Sequence, residues 1–248
     1  MNRTKIFAAL TLALLAGAVT TNATLSTLIW QPAVDIQPFL NPHFGLDNYI
    51  SLKAPYGTTV NAGITMGVLP FKKIQMEVGV DYRDFNGSHV YPWLLNAKIG
   101  SPEGSLFKYQ PAIVAGAYDI GFKTGVTDYD IIFGQLGETI WKLGRFTAGA
   151  FYGNPKLLVN AGKLDANGSP VKDNVGVLLG WDRYISELTD KLWLCVEYQG
   201  TQSGYGALSF GFAWNFSPNV SVIYAVDLFN DSKTYAPTAT VQVDINLK

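Results

Sequence analysis

Residues 57–84, GTTVNAGITMGVLPFKKIQMEVGVDYRD, contain two runs in which apolar residues alternate with polar or small ones. The apolar positions are Val60, Ala62, Ile64, Met66 and Val68 in the first run and Ile74, Met76, Val78, Val80 and Tyr82 in the second. Because successive side chains of a β-strand point to opposite sides, this period of two predicts two strands. Each run is close to the ~9–11 residues that a tilted strand needs to cross a bilayer. The stretch is therefore interpreted as one membrane hairpin, with its turn at Leu69-Pro70.

The same unit recurs along the rest of the chain and predicts about twelve strands. The other strand candidates are residues 44–53, 93–100, 111–123, 128–140, 144–152, 175–182, 192–199, 207–214, 220–226 and 238–247. In the fifth strand, the pattern predicts Val114, Tyr118 and Ile120 on the apolar face and Asp119 on the opposite face. The two faces of 128–140 are poorly separated, and a bulge near Gly134 would repair the alternation.

The N-terminal region has the pattern of an export signal. Arg3 and Lys5 precede an apolar run at 6–19, and Thr21-Asn22-Ala23 supplies a small residue at a cleavage point. Residues 1–23 are therefore predicted to be a signal peptide. Residues 24–43 contain three prolines, which interrupt sheet ladders, so this segment is predicted to precede the barrel and to lie either in the periplasm or inside the lumen. The barrel is predicted to occupy 44–248.

Three features favour a membrane barrel over a soluble β-sandwich, which would also alternate. The polar faces are rich in Gly, Ala, Ser and Thr. The shortest connections mostly follow even-numbered strands, although the rule holds imperfectly. Aromatic residues form two groups on the apolar face, as at the two lipid–water interfaces: Tyr82, Phe122, Tyr152 and Tyr198 in one, Phe44, Trp181, Trp214 and Trp141 in the other. An open sheet would leave backbone groups unpaired in lipid, so the predicted fold is an all-β, closed, antiparallel, up-and-down transmembrane β-barrel.

Over nearly all of the predicted mature length, this pattern resembles the Gram-negative outer-membrane β-barrel class, without a specific family within it. The resemblance implies a location in the outer membrane of a Gram-negative-type bacterium, with the lipid bilayer as the main partner. Members of the class commonly end in an aromatic residue, whereas this chain ends Ile245-Asn246-Leu247-Lys248.

The residues that catalysis or cofactor binding would need are sparse. His43 and His89 are the two histidines and Cys195 is the one cysteine, so the sequence predicts no catalytic site, no cofactor and no metal centre. The strongest enzymatic alternative, an outer-membrane hydrolase, would use His89 with Asp84, a pair that resembles the omptin-type proteases. Without Arg3 and Lys5 the chain has 16 basic and 19 acidic residues, which argues against nucleic-acid binding.

The predicted lumen therefore carries the functional hypothesis. The ionisable residues predicted to line it are Glu77, Asp81, Lys98, Asp119, Asp130, Arg145, Glu197, Asp227 and Asp244, together with Asp47, Lys73, Lys123 and Asp182. This acidic excess would favour cations in a water-filled barrel, although such residues also pair across narrow lumens and close them. The first hypothesis is a channel or transporter for small solutes with a mild preference for cations. The alternative is a closed structural, adhesive or receptor barrel that acts through its outer loops, chiefly 153–173.

Overall fold

The computed structural model describes residues 26–53, 57–85 and 91–247, and the predicted signal peptide and His89 lie outside these ranges. Within them, twelve strands form one closed barrel in which every neighbouring pair is antiparallel. The barrel strands are β1 (Pro42–Ser51), β2 (Thr58–Gly67), β3 (Gln75–Phe85), β4 (Trp93–Ser101), β5 (Ala112–Gly121), β6 (Ile131–Ile140), β7 (Gly144–Tyr152), β10 (Val175–Tyr184), β11 (Leu192–Gln199), β12 (Ala207–Ser217), β13 (Val220–Phe229) and β14 (Thr238–Asn246). This confirms the predicted fold class and strand number.

The first and last strands close the sheet. β1 pairs with β14 from His43–Asn246 to Ser51–Thr238, and every other barrel strand pairs with its neighbours along the chain. β7 pairs with β10, and the intervening connection carries a small two-stranded hairpin of β8 (Val159–Leu164) and β9 (Pro170–Lys172). We call the end where β1 begins and β14 ends the proximal end, and the other the distal end.

The outer surface of the barrel is apolar. Alternate residues on each strand expose large hydrophobic side chains, such as Ile64, Ile99, Ile132, Val177 and Phe210. Monomeric soluble proteins seldom expose a continuous apolar surface of this extent, whereas a lipid-facing barrel requires one. The barrel strands are 8–11 residues long, which suits a tilted crossing. In the described part of the chain, no helix is long and apolar enough to span a membrane.

The prediction for β5 was wrong on one face. Val114 is buried inside the barrel together with Ala112, while Ile113 is exposed on the outer surface. The β4–β5 register shifts between Leu95 and Ala97, which is a β-bulge, and Asp119 has a positive φ of 54°. The extra residue places Tyr118 and Asp119 both on the cavity lining, so the alternation changes phase there. β6 alternates regularly, and no bulge occurs near Gly134.

Candidate functional site: a lumen divided by the N-terminal segment

Residues 26–41, which we call the lumenal segment, run through the barrel interior over 28–37, where most side chains are buried, and become exposed at 38–40. A tight loop is closed by hydrogen bonds from Leu28 N to Gln31 O (2.9 Å) and from Ala33 N to Ser26 O (3.1 Å). The segment then leaves along β2, where Leu40 N donates to Gly67 O at 2.9 Å. The barrel itself begins at Pro42, two residues earlier than predicted.

Glu197 on β11 holds the loop of the lumenal segment. Its carboxylate accepts three successive backbone N–H groups, from Ile29 (3.0 Å), Trp30 (2.7 Å) and Gln31 (3.1 Å). Successive N–H groups that converge in this way form an anion-binding concavity. Glu197 is 1% exposed, so the carboxylate and the three donors satisfy each other away from solvent.

A second attachment comes from Lys98 on β4 and Glu77 on β3. The ammonium group of Lys98 donates to the carbonyl oxygens of Ser26 (2.9 Å) and Ala33 (3.0 Å) and lies 3.5 Å from a carboxylate oxygen of Glu77. The other oxygen of Glu77 accepts the backbone N–H of Gln37 at 2.6 Å. Glu77 and Lys98 therefore bind the lumenal segment as well as each other.

Arg145 on β7 makes the third attachment. Its guanidinium donates to Asp35 of the lumenal segment at 2.6 Å and to Asp182 on β10 at 3.0 Å. The indole N–H of Trp193 also donates to Asp182, at 3.1 Å. The two carboxylates therefore share one cation, and these contacts fix the segment near the proximal end.

Apolar contacts fill the lumen on one side of the segment. Leu28, Ile29 and Ala33 pack against buried side chains of β11, β12 and β13, and Val34 and Ile36 belong to a second buried cluster with β5, β6, β7 and β10. The partners from the barrel wall include Trp193, Cys195, Ala213 and Ile223 in the first cluster and Val114, Ile131, Phe133, Phe151 and Leu178 in the second. We call the wall formed by β6, β7 and β10–β13 the packed side.

The opposite wall, formed by β1–β4, leaves a cavity of about 460 Å³ beside the lumenal segment. We call this wall the cavity side. The ionisable residues that line the cavity are Asp47, Glu77, Asp81, Asp119 and Asp244, with His43, Arg83 and Lys98. Carboxylates therefore outnumber the permanently cationic side chains, and a cation in this space meets a negative environment.

Aromatic side chains gather at the distal end of the cavity. Trp30 of the lumenal segment packs edge-on against Tyr49, with ring centroids 4.8 Å apart, and against Phe229 at 6.0 Å. Tyr205, in the connection between β11 and β12, lies 6.4 Å from Trp30 and 6.3 Å from Tyr118. All five rings line the cavity.

An ion pair lies beside these rings. The two terminal nitrogens of Arg83 donate to the two oxygens of Asp119, at 2.6 and 2.8 Å, which is the bidentate geometry typical of strong arginine–carboxylate pairs. The phenolic O–H of Tyr205 also donates to Asp119. Burial, reinforced by the negative charge of Asp119, raises the pKa of the Tyr205 phenol well above its usual range, so the hydroxyl stays a donor.

The structure brings most of the residues predicted to line the lumen into two places. Glu77, Asp81, Lys98, Asp119 and Asp244 line the cavity, as does Asp47. Arg145, Asp182 and Glu197 bind the lumenal segment or each other.

The remaining predicted residues lie elsewhere. Asp227 is buried on β13 and accepts a hydrogen bond from the hydroxyl of Thr238 at 2.7 Å. Asp130 is exposed one residue before β6, because the strand begins later than its sequence pattern suggested. Lys73 and Lys123 are likewise exposed, in connections between strands.

Sequence reasoning missed Arg83 and the aromatic residue Trp30. Arg83 was not among the residues predicted to line the lumen, although continuing the alternation of β3 one position past Tyr82 places it on the inner face. Trp30 lies in a segment without periodicity, so no pattern indicated its neighbours.

His43 lies 3.3 Å from Asp244 and 3.1 Å from the side-chain oxygen of Asn246, where β1 meets β14. Among the described residues, no group of three or more His, Cys, Asp or Glu side chains could hold a metal ion.

Comparisons with known proteins give distant likenesses only. No protein-family model matches the chain. No curated protein matches its sequence. Among solved structures, the NanC porin is 9% identical, with a TM-score of 0.49 and coverage of 84% of this chain and 99% of that one. Omp33 of Acinetobacter baumannii and OmpF of Salmonella typhi are each 7% identical, with TM-scores of 0.43. The match covers 84% of this chain in both cases, and 98% of Omp33 and 97% of OmpF. The strands described above, closed into one antiparallel sheet with an apolar outer belt, have the architecture of the outer-membrane β-barrel class.

Proposed function

We propose that this protein is an outer-membrane channel for small solutes, that the lumenal segment narrows its route, and that the route favours cations. The cavity between the lumenal segment and β1–β4 is the observation that carries the proposal. Eight ionisable side chains line it, whereas the packed side is filled mainly by apolar ones, and its charged groups Glu197, Arg145 and Asp182 are bound to the lumenal segment or to each other. The route proposed for water and charged solutes therefore runs along the cavity side.

The charges along this route support the cation preference. Five carboxylates line the cavity against two permanently cationic side chains, Arg83 and Lys98. Each of these cations is paired, Arg83 with Asp119 and Lys98 with Glu77. Asp47, Asp81 and Asp244 remain, the last of them beside His43, and carboxylates along a pore lower the barrier for positive solutes.

A second candidate is a closed structural, adhesive or receptor barrel. The packing of the lumenal segment against β11–β13 favours it. Three successive backbone N–H groups of the segment donate to Glu197, and a buried apolar cluster also holds the segment inside the barrel. The connection 153–174, with its β8–β9 hairpin, would then be the main surface for a partner.

Single-channel recording in planar bilayers tests the proposal. We expect the full-length mature protein to show a small conductance, and a variant lacking residues 26–39 to show a larger one. Glu197→Ala, which removes the acceptor for three N–H groups but keeps the chain length, should raise the frequency of large openings. Heat-modifiable migration would show that each variant has assembled, and Glu103→Gln, at an exposed carboxylate bound to Thr139, is the matched control.

A salt gradient tests the charge preference in the same recordings. The reversal potential should indicate cation selectivity, and Asp47→Asn combined with Asp81→Asn should reduce it. Assembled barrels that conduct at no voltage, even without residues 26–39, would contradict the channel and favour the closed receptor. A conducting barrel without selectivity would contradict the cation preference alone.

A further inference from the structure

We propose that the cavity binds a small organic cation, an amine or a quaternary ammonium compound compact enough for a space of about 460 Å³. The inference names a solute class for the channel and rests on the proposed function in treating the cavity as part of the solute route. Its evidence is that two carboxylates without a salt bridge among the described residues lie close to a group of aromatic rings.

Three of the five carboxylates that line the cavity already face a basic side chain. Glu77 lies 3.5 Å from the ammonium group of Lys98, Asp119 receives the bidentate guanidinium of Arg83, and Asp244 lies 3.3 Å from His43. Glu77 and Asp119 add little net charge for a ligand, because each is paired with a permanent cation in the wall, whereas Asp244 is compensated only when His43 is protonated.

The other two carboxylates, Asp47 and Asp81, each accept a hydrogen bond from a neutral amide, and Arg83 is the cationic side chain that attracts both. The side-chain amide of Asn61 donates to Asp47 at 3.3 Å, and that of Asn96 donates to Asp81 at 2.8 Å. Arg83 adjoins them through its Nε, which donates to Asn61 at 3.2 Å, but directs its two terminal nitrogens to Asp119. An amide that donates to a carboxylate orients it without neutralising it. The two side chains therefore give the cavity a negative charge that a bound cation would compensate.

Aromatic rings adjoin these carboxylates. Tyr49 is two residues beyond Asp47 on β1, so both point to the same face of the sheet. Its ring contacts Trp30, which in turn contacts Phe229 and Tyr205. The face of an aromatic ring carries negative electrostatic potential, and tryptophan attracts cations most strongly.

The combination distinguishes an organic cation from other ligands. A simple metal ion would be attracted by the carboxylates, but the aromatic rings would supply no ligand atoms for it. An anion would be repelled by the acidic excess, and a neutral molecule could donate hydrogen bonds to Asp47 and Asp81 but would not compensate their charge. Carboxylates on one wall and rings at one end fit a molecule that carries positive charge on an apolar body.

Calorimetric titration of the purified barrel in a neutral detergent tests this inference. The probes are choline and 3,3-dimethylbutan-1-ol, which has the same shape but a carbon atom in place of the charged nitrogen. We expect choline to bind at least tenfold more tightly than its neutral isostere. This comparison uses the unaltered protein, so it does not depend on whether a variant folds.

Variants then locate the site. Asp47→Asn and Asp81→Asn should each weaken choline binding about tenfold and leave binding of the isostere unchanged, because only the charge is removed. Tyr49→Leu should weaken choline binding as well. Asp165→Asn, at a carboxylate in the β8–β9 hairpin outside the cavity, should have no effect.

Equal affinity for choline and the isostere, no binding of either, or unchanged choline binding in the Asp47→Asn, Asp81→Asn double variant would each overturn the inference. Binding in detergent requires no conductance. Choline binding by a protein that never conducts would therefore contradict the channel but support the cation site. Conductance without choline binding would support the channel but contradict the cation site.

Discussion

The two sides of the lumen contact the same lumenal segment in different ways. On the packed side, Leu28 and Ile29 are each 1% exposed and meet apolar residues from β11–β13, as in the core of a soluble domain. On the cavity side, the contacts are mostly charged, and a space of about 460 Å³ remains between the segment and the wall. One short segment therefore serves as a core element on one face and as the wall of a polar cavity on the other.

This difference shows how a twelve-stranded barrel accommodates its interior. A barrel of this size encloses more space than its own side chains fill. Burying a leucine or isoleucine side chain contributes about 1.5–3 kcal/mol, so apolar packing on one side stabilises the segment strongly. The ion pairs on the other side contribute less, because each buried charge must first lose its hydration. The packed side thus fixes the segment, and the cavity side leaves open space beside it.

Glu197→Ala should produce the largest effect, because it leaves three buried N–H donors on the packed side without an acceptor. Each unsatisfied buried donor costs ~1–3 kcal/mol, so we expect the free energy of unfolding to fall by about 3 kcal/mol or more. Hydrogen exchange at Ile29, Trp30 and Gln31 and denaturant unfolding in detergent would measure it. Glu103→Gln, at an exposed carboxylate, should change stability by less than ~0.5 kcal/mol. Equal effects in the two variants would contradict the assigned role of Glu197.

A matched pair of glycines compares the two sides directly. A Cβ at Gly180 on β10 would lie 2.4 Å from the hydroxyl of Thr147, 2.8 Å from Nε2 of Gln31 and 3.0 Å from a methyl of Leu28. A Cβ at Gly45 on β1 would have its nearest neighbour at 3.8 Å, in His43. Overpacking costs ~1–3 kcal/mol, so Gly180→Ala should destabilise the barrel by that amount.

Gly45→Ala should be neutral or stabilise the barrel by up to ~1 kcal/mol, because alanine reduces the conformational freedom of the unfolded chain. Denaturant midpoints of the two variants, measured in the same detergent, provide the test. If Gly45→Ala were as destabilising as Gly180→Ala, the cavity side would be as tightly packed as the opposite wall, and the division of the lumen would be wrong.

The sequence predicted the barrel but not this division. Alternation is local, so it revealed the strands, and a closed sheet followed from the need to pair every backbone group in lipid. It failed in β5, where the bulge at Asp119 changes the phase, so Val114 and Tyr118 were assigned to the wrong face. The lumenal segment has no periodicity, and its main attachment joins Ile29 to Glu197, 168 residues apart in the chain. No local pattern encodes such a contact.

Tyr205→Phe should destabilise the barrel less than Glu197→Ala or Gly180→Ala, at a residue that touches both sides of the lumen. The ring packs near Trp30 of the lumenal segment, while the hydroxyl donates to Asp119, which keeps its two bonds from Arg83. Removing the hydroxyl deletes one hydrogen bond and leaves the ring in place, so we expect a loss of about 1 kcal/mol in the free energy of unfolding. Tyr152→Phe, on the lipid-facing surface, is the control and should change nothing measurable. A loss above ~3 kcal/mol would mean that Tyr205, rather than Arg83, is the principal partner of Asp119, and that the distal end of the cavity depends on the packed side.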